Sequence, residues 1–167
     1  MTTTGDHPAP REPARSDPVD PTPTDLAPEN AVRRGLSPSA GPFGIDRLLA
    51  AAREQLERLT PQQAFAAQRD GGLIVDIRPQ SDRLADGEIP GALTVERLVL
   101  EWRLDPGGPH RLAGLRTELP VVLVCNEGYA SSLAAAQAQD LGLTRATDLA
   151  GGFRAWKSAG LPVHHPP

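Results

Sequence analysis

Apolar positions recur along this chain with two different periods. Over GIDRLLAAAREQLERLT they fall at Ile45, Leu48, Leu49, Ala52, Leu56 and Leu59, with Arg and Glu on the other side. Spacings of three and four predict an amphipathic helix over residues 45–59. Thr60 followed by Pro61 makes a cap and first-turn pair, so a second helix is predicted through PQQAFAAQR, ended by Asp70, Gly71 and Gly72. The period then changes. LIVDI, residues 73–77, and VVLV, residues 121–124, are short apolar runs rich in β-branched side chains, the pattern of strands buried on both faces. ALTV, residues 92–95, is a third strand candidate. After Ser131 come a helix through LAAAQAQDLG, a short strand around residues 147–149 and a helix over FRAWKSAG. This alternation predicts an α/β fold with a mainly parallel central sheet flanked by helices.

The first 42 residues break the pattern, holding nine of the eighteen prolines and few large apolar residues. Such a stretch cannot bury enough apolar surface to offset its ordering entropy, roughly 1–2 kcal/mol per residue for the backbone. The expected organisation is a disordered Pro-rich tail over 1–43, an amphipathic helix over 44–59 and an α/β domain over 60–165. The PxxP spacings at Pro10 and Pro13, and at Pro18 and Pro21, are read as solvated tail rather than as docking ligands. The remaining length, within a chain of 167 residues that is 39% hydrophobic, suits one core.

A net charge of −4 offers no general attraction to phosphates, so neither nucleic acid nor a membrane surface is an expected partner. One cysteine excludes an intrachain disulfide framework and leaves too few soft ligands for a cysteine-built zinc site, which suits a reducing, cytoplasmic setting. His7, His110, His164 and His165 show no metal-ligand spacing, and no metal is expected. The start of the chain lacks a secretion-signal pattern, and no segment approaches membrane-span length.

That single cysteine, Cys125, directly follows VVLV and precedes a predicted helix. In a sheet of this kind, ligands bind outside the carboxyl ends of the strands. Gly128 permits a tight loop, and Ser131 or Ser132 is expected to cap the helix. Backbone N–H groups of residues 126–130, with the helix N-terminus, would form an anion cradle and favour the thiolate, the nucleophilic form. The loop alone leaves two readings open, a reactive nucleophile or an inert cysteine buried at a strand end.

Three separated signatures, in order, resemble the rhodanese-like sulfurtransferase domain over about residues 60–163. IVDIRPQSDRLADGEIPGALTV is similar to the family's Asp-x-Arg and Gly-His-Ile-Pro-Gly-Ala pattern, through Asp76, Arg78, Gly87, Ile89, Pro90, Gly91 and Ala92. CNEGYASS is the cysteine loop. DLAGGFRAWKSAGLPV is similar to the family's Leu-x-Gly-Gly-x-x-x-Trp-x-x-x-Gly-x-Pro ending, through Leu149, Gly151, Gly152, Trp156, Gly160 and Pro162. The resemblance implies that Cys125 takes a sulfane sulfur from thiosulfate or a persulfide donor, carries it as a persulfide and passes it to a thiol, a protein thiol or cyanide. It implies donor binding by Asn126, Glu127, Gly128, Tyr129 and Ala130, with no cofactor.

Two departures stand out. Many family members have Arg where this chain has Ala130, so a cation must come from elsewhere; of Arg83, Arg97 and Arg103, Arg83 is the expected substitute. Glu88 stands where the family usually has His, an expected change of packing. Asp76 and Arg78 are expected to pair structurally, Tyr129 to line the site, Glu127 to face solvent, Trp102 to be a core or rim aromatic, and Trp156 to lie in the core. Cysteine phosphatases share the strand–Cys loop–helix plan but need Arg at Cys plus six, here Ser131, which removes charge stabilisation that phosphoryl transfer needs. The alternative of a different class is a non-catalytic rhodanese-like module that binds a partner, which would not need the thiol.

Overall fold

In a computed structural model of the chain, residues 44–165 are described; the expected tail over 1–43, with its PxxP spacings and His7, lies outside them. Strands β1 (Leu73–Asp76), β2 (Leu93–Thr94), β3 (Val121–Val124) and β4 (Ala146–Asp148) form a parallel sheet in the order β2-β1-β3-β4. Leu73 pairs with Val121 and Asp76 with Val124, while Leu123 pairs with Asp148. Successive side chains point to opposite faces, which divides each run between two cores. Val75, Val121 and Leu123 pack with Leu100, Leu104, Ala135 and Leu143 on one side. Ile74, Val122 and Val124 pack with Ala64, Phe153 and Trp156 on the other. Each fully buried Val, Leu, Ile or Phe contributes about 1.5–3 kcal/mol. The ALTV strand is shorter than expected, with both residues of β2 exposed, because it pairs with β1 alone at the sheet edge.

Helix α1 (Ile45–Glu54) opens the described chain, followed by α2 (Pro61–Arg69), α3 (Gln80–Asp86), α4 (Leu100–Leu104), α5 (Ala130–Asp140) and α6 (Gly152–Ser158). A capping box starts α2: the Gln63 N–H donates to Thr60 Oγ1 at 3.3 Å and the Thr60 N–H to Gln63 Oε1 at 2.9 Å. Helix α3, the turn of 3-10 helix over Arg97–Val99 and the helix α4 into which it leads were not predicted.

Helix α1 lies on α5 and buries Leu49 and Ala52. The expected helix over 45–59 stops at Glu54, because its last residues are recruited to the sheet. The Leu59 N–H donates to the Asp148 carbonyl at 3.0 Å, and the Ala150 N–H donates to the Leu59 carbonyl at 2.8 Å. This places Leu59 in a parallel bridge with Leu149, and a backbone paired sideways cannot continue the i to i−4 ladder. No helix among the described residues is long and apolar enough to cross a membrane.

The two ends of the sheet differ. At the amino ends of the strands lies an open groove of about 850 Å³, lined by residues including Gln55, Arg116, Pro120 and Arg145. The carboxyl ends carry the cysteine loop, and no loop residue lines the groove.

Candidate active site

Cys125 follows the last residue of β3 and is half-buried. Its Sγ accepts the Gly128 N–H at 3.2 Å and the Ser131 N–H at 3.4 Å, and lies 3.2 Å from Ser131 Oγ. The chain closes around the sulfur through Gly128, which has φ +77°; a Cβ there would come within 2.9 Å of Arg58 Nη2 and 3.0 Å of the Leu149 carbonyl. The expected Ser131 or Ser132 cap is not formed. Helix α5 begins at Ala130, its cap position is Tyr129, and no side chain caps it. Both serines lie inside the first turn, and it is the Cys125 sulfur that takes an orphan N–H of the helix.

Both serine hydroxyls are within reach of Asp148, and Ser131 Oγ stands 3.2 Å from that carboxylate and 3.2 Å from the Cys125 sulfur. This carboxylate is fully buried. Its Oδ1 accepts Arg58 Nε at 2.8 Å; its Oδ2 accepts Arg58 Nη2 at 3.0 Å and the hydroxyls of Ser132 at 2.8 Å and Ser131 at 3.2 Å. One layer nearer the loop, the Gly128 carbonyl meets Arg53 Nη2 at 2.7 Å, Ser132 Oγ at 2.9 Å and Arg58 Nη2 at 3.1 Å. Arg53 also donates to Ser132 Oγ at 3.2 Å, and its guanidinium lies 5.3 Å from the centroid of the Tyr129 ring. In a trans peptide the carbonyl and the following N–H point opposite ways. Holding the Gly128 oxygen against these donors therefore turns the Tyr129 N–H away from them.

The start of α6 fixes the other wall. The Phe153 N–H donates to the Cys125 carbonyl at 2.8 Å and the Arg154 N–H to the Asn126 carbonyl at 3.1 Å. Gly152, at φ +61°, makes this approach possible: a Cβ would collide with the Cys125 carbonyl oxygen and reach 2.6 Å from Asn126 backbone atoms. The Gly-Gly pair of the third signature thus has a steric cause. With carbonyls held outward, two amides and a hydroxyl converge on one sulfur. Such preorganised donors suit negative charge on that atom.

The other expected site residues divide into two groups. Asn126 donates to Asp82 Oδ2 at 2.5 Å, Glu127 pairs with Arg154, and Tyr129 stands half-exposed at the loop's edge. Ala130 brings no charge. Arg83 is buried, donates to the Arg78 carbonyl, and has Glu88 at 3.3 Å and Glu96 at 3.5 Å; none of these partners belongs to the loop. Its Nε faces Glu88 as an ion pair without hydrogen-bond alignment. Arg97 pairs with Glu101 at 2.6 Å and Arg103 donates to the His110 carbonyl at 2.6 Å.

Asp76 and Arg78 form a buried pair, Nη2 to Oδ2 at 2.7 Å, with the guanidinium 3.6 Å from the Phe153 ring centroid and a further bond to the Gly87 carbonyl. Trp156 is fully buried and donates Nε1–H to the Pro162 carbonyl at 2.9 Å. Trp102 is 61% exposed, on the surface rather than in the core, because α4 turns Leu100 and Leu104 inward. Among the described residues, no group of three or more His, Cys, Asp or Glu is placed to hold a metal. Sequence reasoning missed Arg53, Arg58 and Asp148. Asp148 had a signal, an acid at the carboxyl end of a buried strand, as Asp76 is.

The chain matches the family described as Rhodanese-like domain over residues 60–159. A thiosulfate sulfurtransferase, GlpE, from Stutzerimonas stutzeri is 32% identical over 102 residues, 60% of this chain and 84% of that protein. A sulfurtransferase from Allochromatium vinosum is 33% identical over 94 residues, 56% of this chain and 79% of that one. Among solved structures, a protein of unknown function from Rhodopseudomonas palustris, described as a possible tyrosine phosphatase, is 36% identical with TM-score 0.67, over 77% of this chain and 99% of that one. A human single-domain sulfurtransferase is 25% identical with TM-score 0.52, over 60% and 95%. Arg53 and Arg58 both precede residues 60–159, the stretch that matches the family.

Proposed function

The chain belongs to the rhodanese-like domain family, and from that premise we propose that it is a sulfurtransferase with Cys125 as its sulfur carrier. The observation that carries this reading is the convergence of the Gly128 and Ser131 amides and the Ser131 hydroxyl on one sulfur. The relatives named as sulfurtransferases support it.

In loading, the Cys125 thiolate attacks the sulfane sulfur of thiosulfate or of a persulfide. An S–S bond forms to Sγ, the donor's bond to that sulfur breaks, and the electron pair leaves on sulfite or on the donor thiolate. In discharge, a thiol or cyanide acceptor attacks the outer sulfur and Cys125 leaves as thiolate. Amides of residues 126–130 hold the outer sulfur's charge. Sulfur-to-sulfur exchange of this kind uses no redox cofactor, and a lone thiol suits a reducing compartment, the cytoplasm.

Donor binding falls to the loop rather than to Arg83, which would have to leave Glu88 and Glu96 to touch a donor. A phosphatase reading, suggested by the description of the Rhodopseudomonas protein, has no support at the loop. Residues 126–131 carry no cationic side chain to grip a phosphoryl group.

The test is intact-protein mass spectrometry after incubation with thiosulfate, with Cys125→Ser as control. The expected result is a gain of one sulfur atom, reversed by cyanide or a thiol and absent from the control. No adduct from several sulfane donors, with the thiol shown to be reduced, would overturn the reading and favour the partner-binding module.

A further inference from the structure

We propose that Ser131 is a catalytic residue of the discharge step, its hydroxyl turning from Asp148 to Cys125 Sγ as that sulfur becomes the leaving group; this rests on the sulfurtransferase reading above. Ser131 is fully buried, and its Oγ lies 3.2 Å from Cys125 Sγ and 3.2 Å from Asp148 Oδ2. A hydroxyl has one hydrogen. It can serve one of these two acceptors at a time, and the reaction changes which of them is stronger.

When Cys125 carries the outer sulfur, Sγ is an uncharged divalent sulfur and a weak acceptor. The Ser131 hydrogen then goes to the Asp148 carboxylate, a charged one. Discharge reverses the order. The acceptor thiolate forms a bond to the outer sulfur, the bond between that sulfur and Sγ breaks, and its electron pair stays on Sγ: RS⁻ + Cys–S–S⁻ gives RS–S⁻ + Cys–S⁻. Negative charge therefore develops on the atom that Ser131 touches. The turned hydroxyl adds a third donor to the Gly128 and Ser131 amides already aimed there.

Asp148 does not go unpaired in the exchange. It keeps Arg58 Nε at 2.8 Å and Nη2 at 3.0 Å, while the single Ser132 hydrogen is shared between Asp148 Oδ2 at 2.8 Å and the Gly128 carbonyl at 2.9 Å. The two half-reactions are affected in opposite senses. In loading, the hydroxyl bond to the thiolate exists at the start and is lost as the nucleophile attacks; in discharge it is gained. Removing the hydroxyl should therefore slow discharge without slowing loading.

The experiment measures each half-reaction in a single turnover by quenched-flow intact mass, with thiosulfate for loading and glutathione or cyanide for discharge. It compares the full chain with its Ser131→Ala and Ser131→Thr variants. A hydrogen bond to a charged group predicts discharge about ten- to a hundredfold slower in Ser131→Ala, with loading at least as fast as the parent and persulfide accumulating in turnover. Ser131→Thr, which keeps a hydroxyl, should recover most of the discharge rate.

Equal slowing of both steps, unchanged discharge, or a Thr variant as slow as Ala would overturn the proposal. So would a Ser131→Ala protein that takes up no sulfur and melts below Ser131→Thr, since the hydroxyl would then be serving the fold. A parent protein that loads no sulfur would overturn the sulfurtransferase reading itself; a loaded parent with indifferent variants would overturn only the assignment of Ser131.

Discussion

Arg58 and Asp148 meet beneath the cysteine loop in a two-point ion pair, Nε to Oδ1 at 2.8 Å and Nη2 to Oδ2 at 3.0 Å, across 90 positions of sequence. The Asp148 side chain is fully buried and the Arg58 side chain 22% exposed. The second nitrogen of that guanidinium also reaches the Gly128 carbonyl, so one side chain joins the buried charge to the loop.

Arg58→Ala leaves Asp148 with two hydroxyl donors and no counter-charge. Breaking a buried pair from one side costs roughly 3–5 kcal/mol, and the partial exposure of Arg58 puts the expected loss near the lower figure. Urea unfolding should show a lower midpoint with an unchanged slope. Removing both partners in a double-mutant cycle should cost less than the sum of the two single losses.

Gly152 and Gly142 form a matched pair of probes. Both have positive φ, +61° and +100°, but a Cβ at Gly142 meets nothing within 4 Å, whereas at Gly152 it runs into the Cys125 and Asn126 backbone. Gly142→Ala should cost about 1–2 kcal/mol of backbone strain and leave sulfur loading intact. Gly152→Ala should cost more and abolish loading, measured as the mass gain on thiosulfate treatment. Equal losses with loading retained in both would show that the close approach is dispensable.

Arg53 gives the Gly128 carbonyl its shortest hydrogen bond, 2.7 Å. Arg53→Ala should slow persulfide formation several-fold, because the Gly128–Tyr129 peptide loses a donor that fixes its tilt. Arg53→Lys should restore part of the rate, since an ammonium can reach one acceptor but cannot also hold Ser132 as the planar guanidinium does. Loading rates by intact mass would check both.

For Arg83 the expectation is a stability effect without a binding effect. Its charge is met by Glu88 and Glu96 and its N–H by the Arg78 carbonyl. Arg83→Met should lower the melting temperature and leave the thiosulfate concentration for half-maximal loading within about twofold, since no direct charge-assisted hydrogen bond to the donor is lost. A rise of several-fold would put Arg83 in contact with the donor.

Strands β1 and β3, helix α2 and the position of Cys125 were legible because local signals agreed with the fold: apolar runs, a Thr-Pro start, a cysteine after a strand. Helix α3 gave no such signal. It starts after Pro79, has no side-chain cap, and buries only Arg83, so no apolar stripe marks it. The end of α1 misled for the opposite reason. Leu56 and Leu59 fit the helical stripe, yet Leu59 joins Leu149 in the sheet, a tertiary choice that periodicity cannot express. Around the loop, the residues that touch sulfur are neighbours of Cys125 in sequence, while Arg53 and Arg58 are 75 and 70 positions from Gly128. Arginines on a helix and in the irregular segment after it look ordinary until folding brings them under a carbonyl.

The stretch shared with the family begins at residue 60, after both of those arginines. A comparison confined to that stretch is silent about what braces the Cys125 loop from below. For this protein, a shortened version starting at Thr60 would inherit every letter of the Cys125 loop yet stand on a different footing, like an arch moved without its buttress.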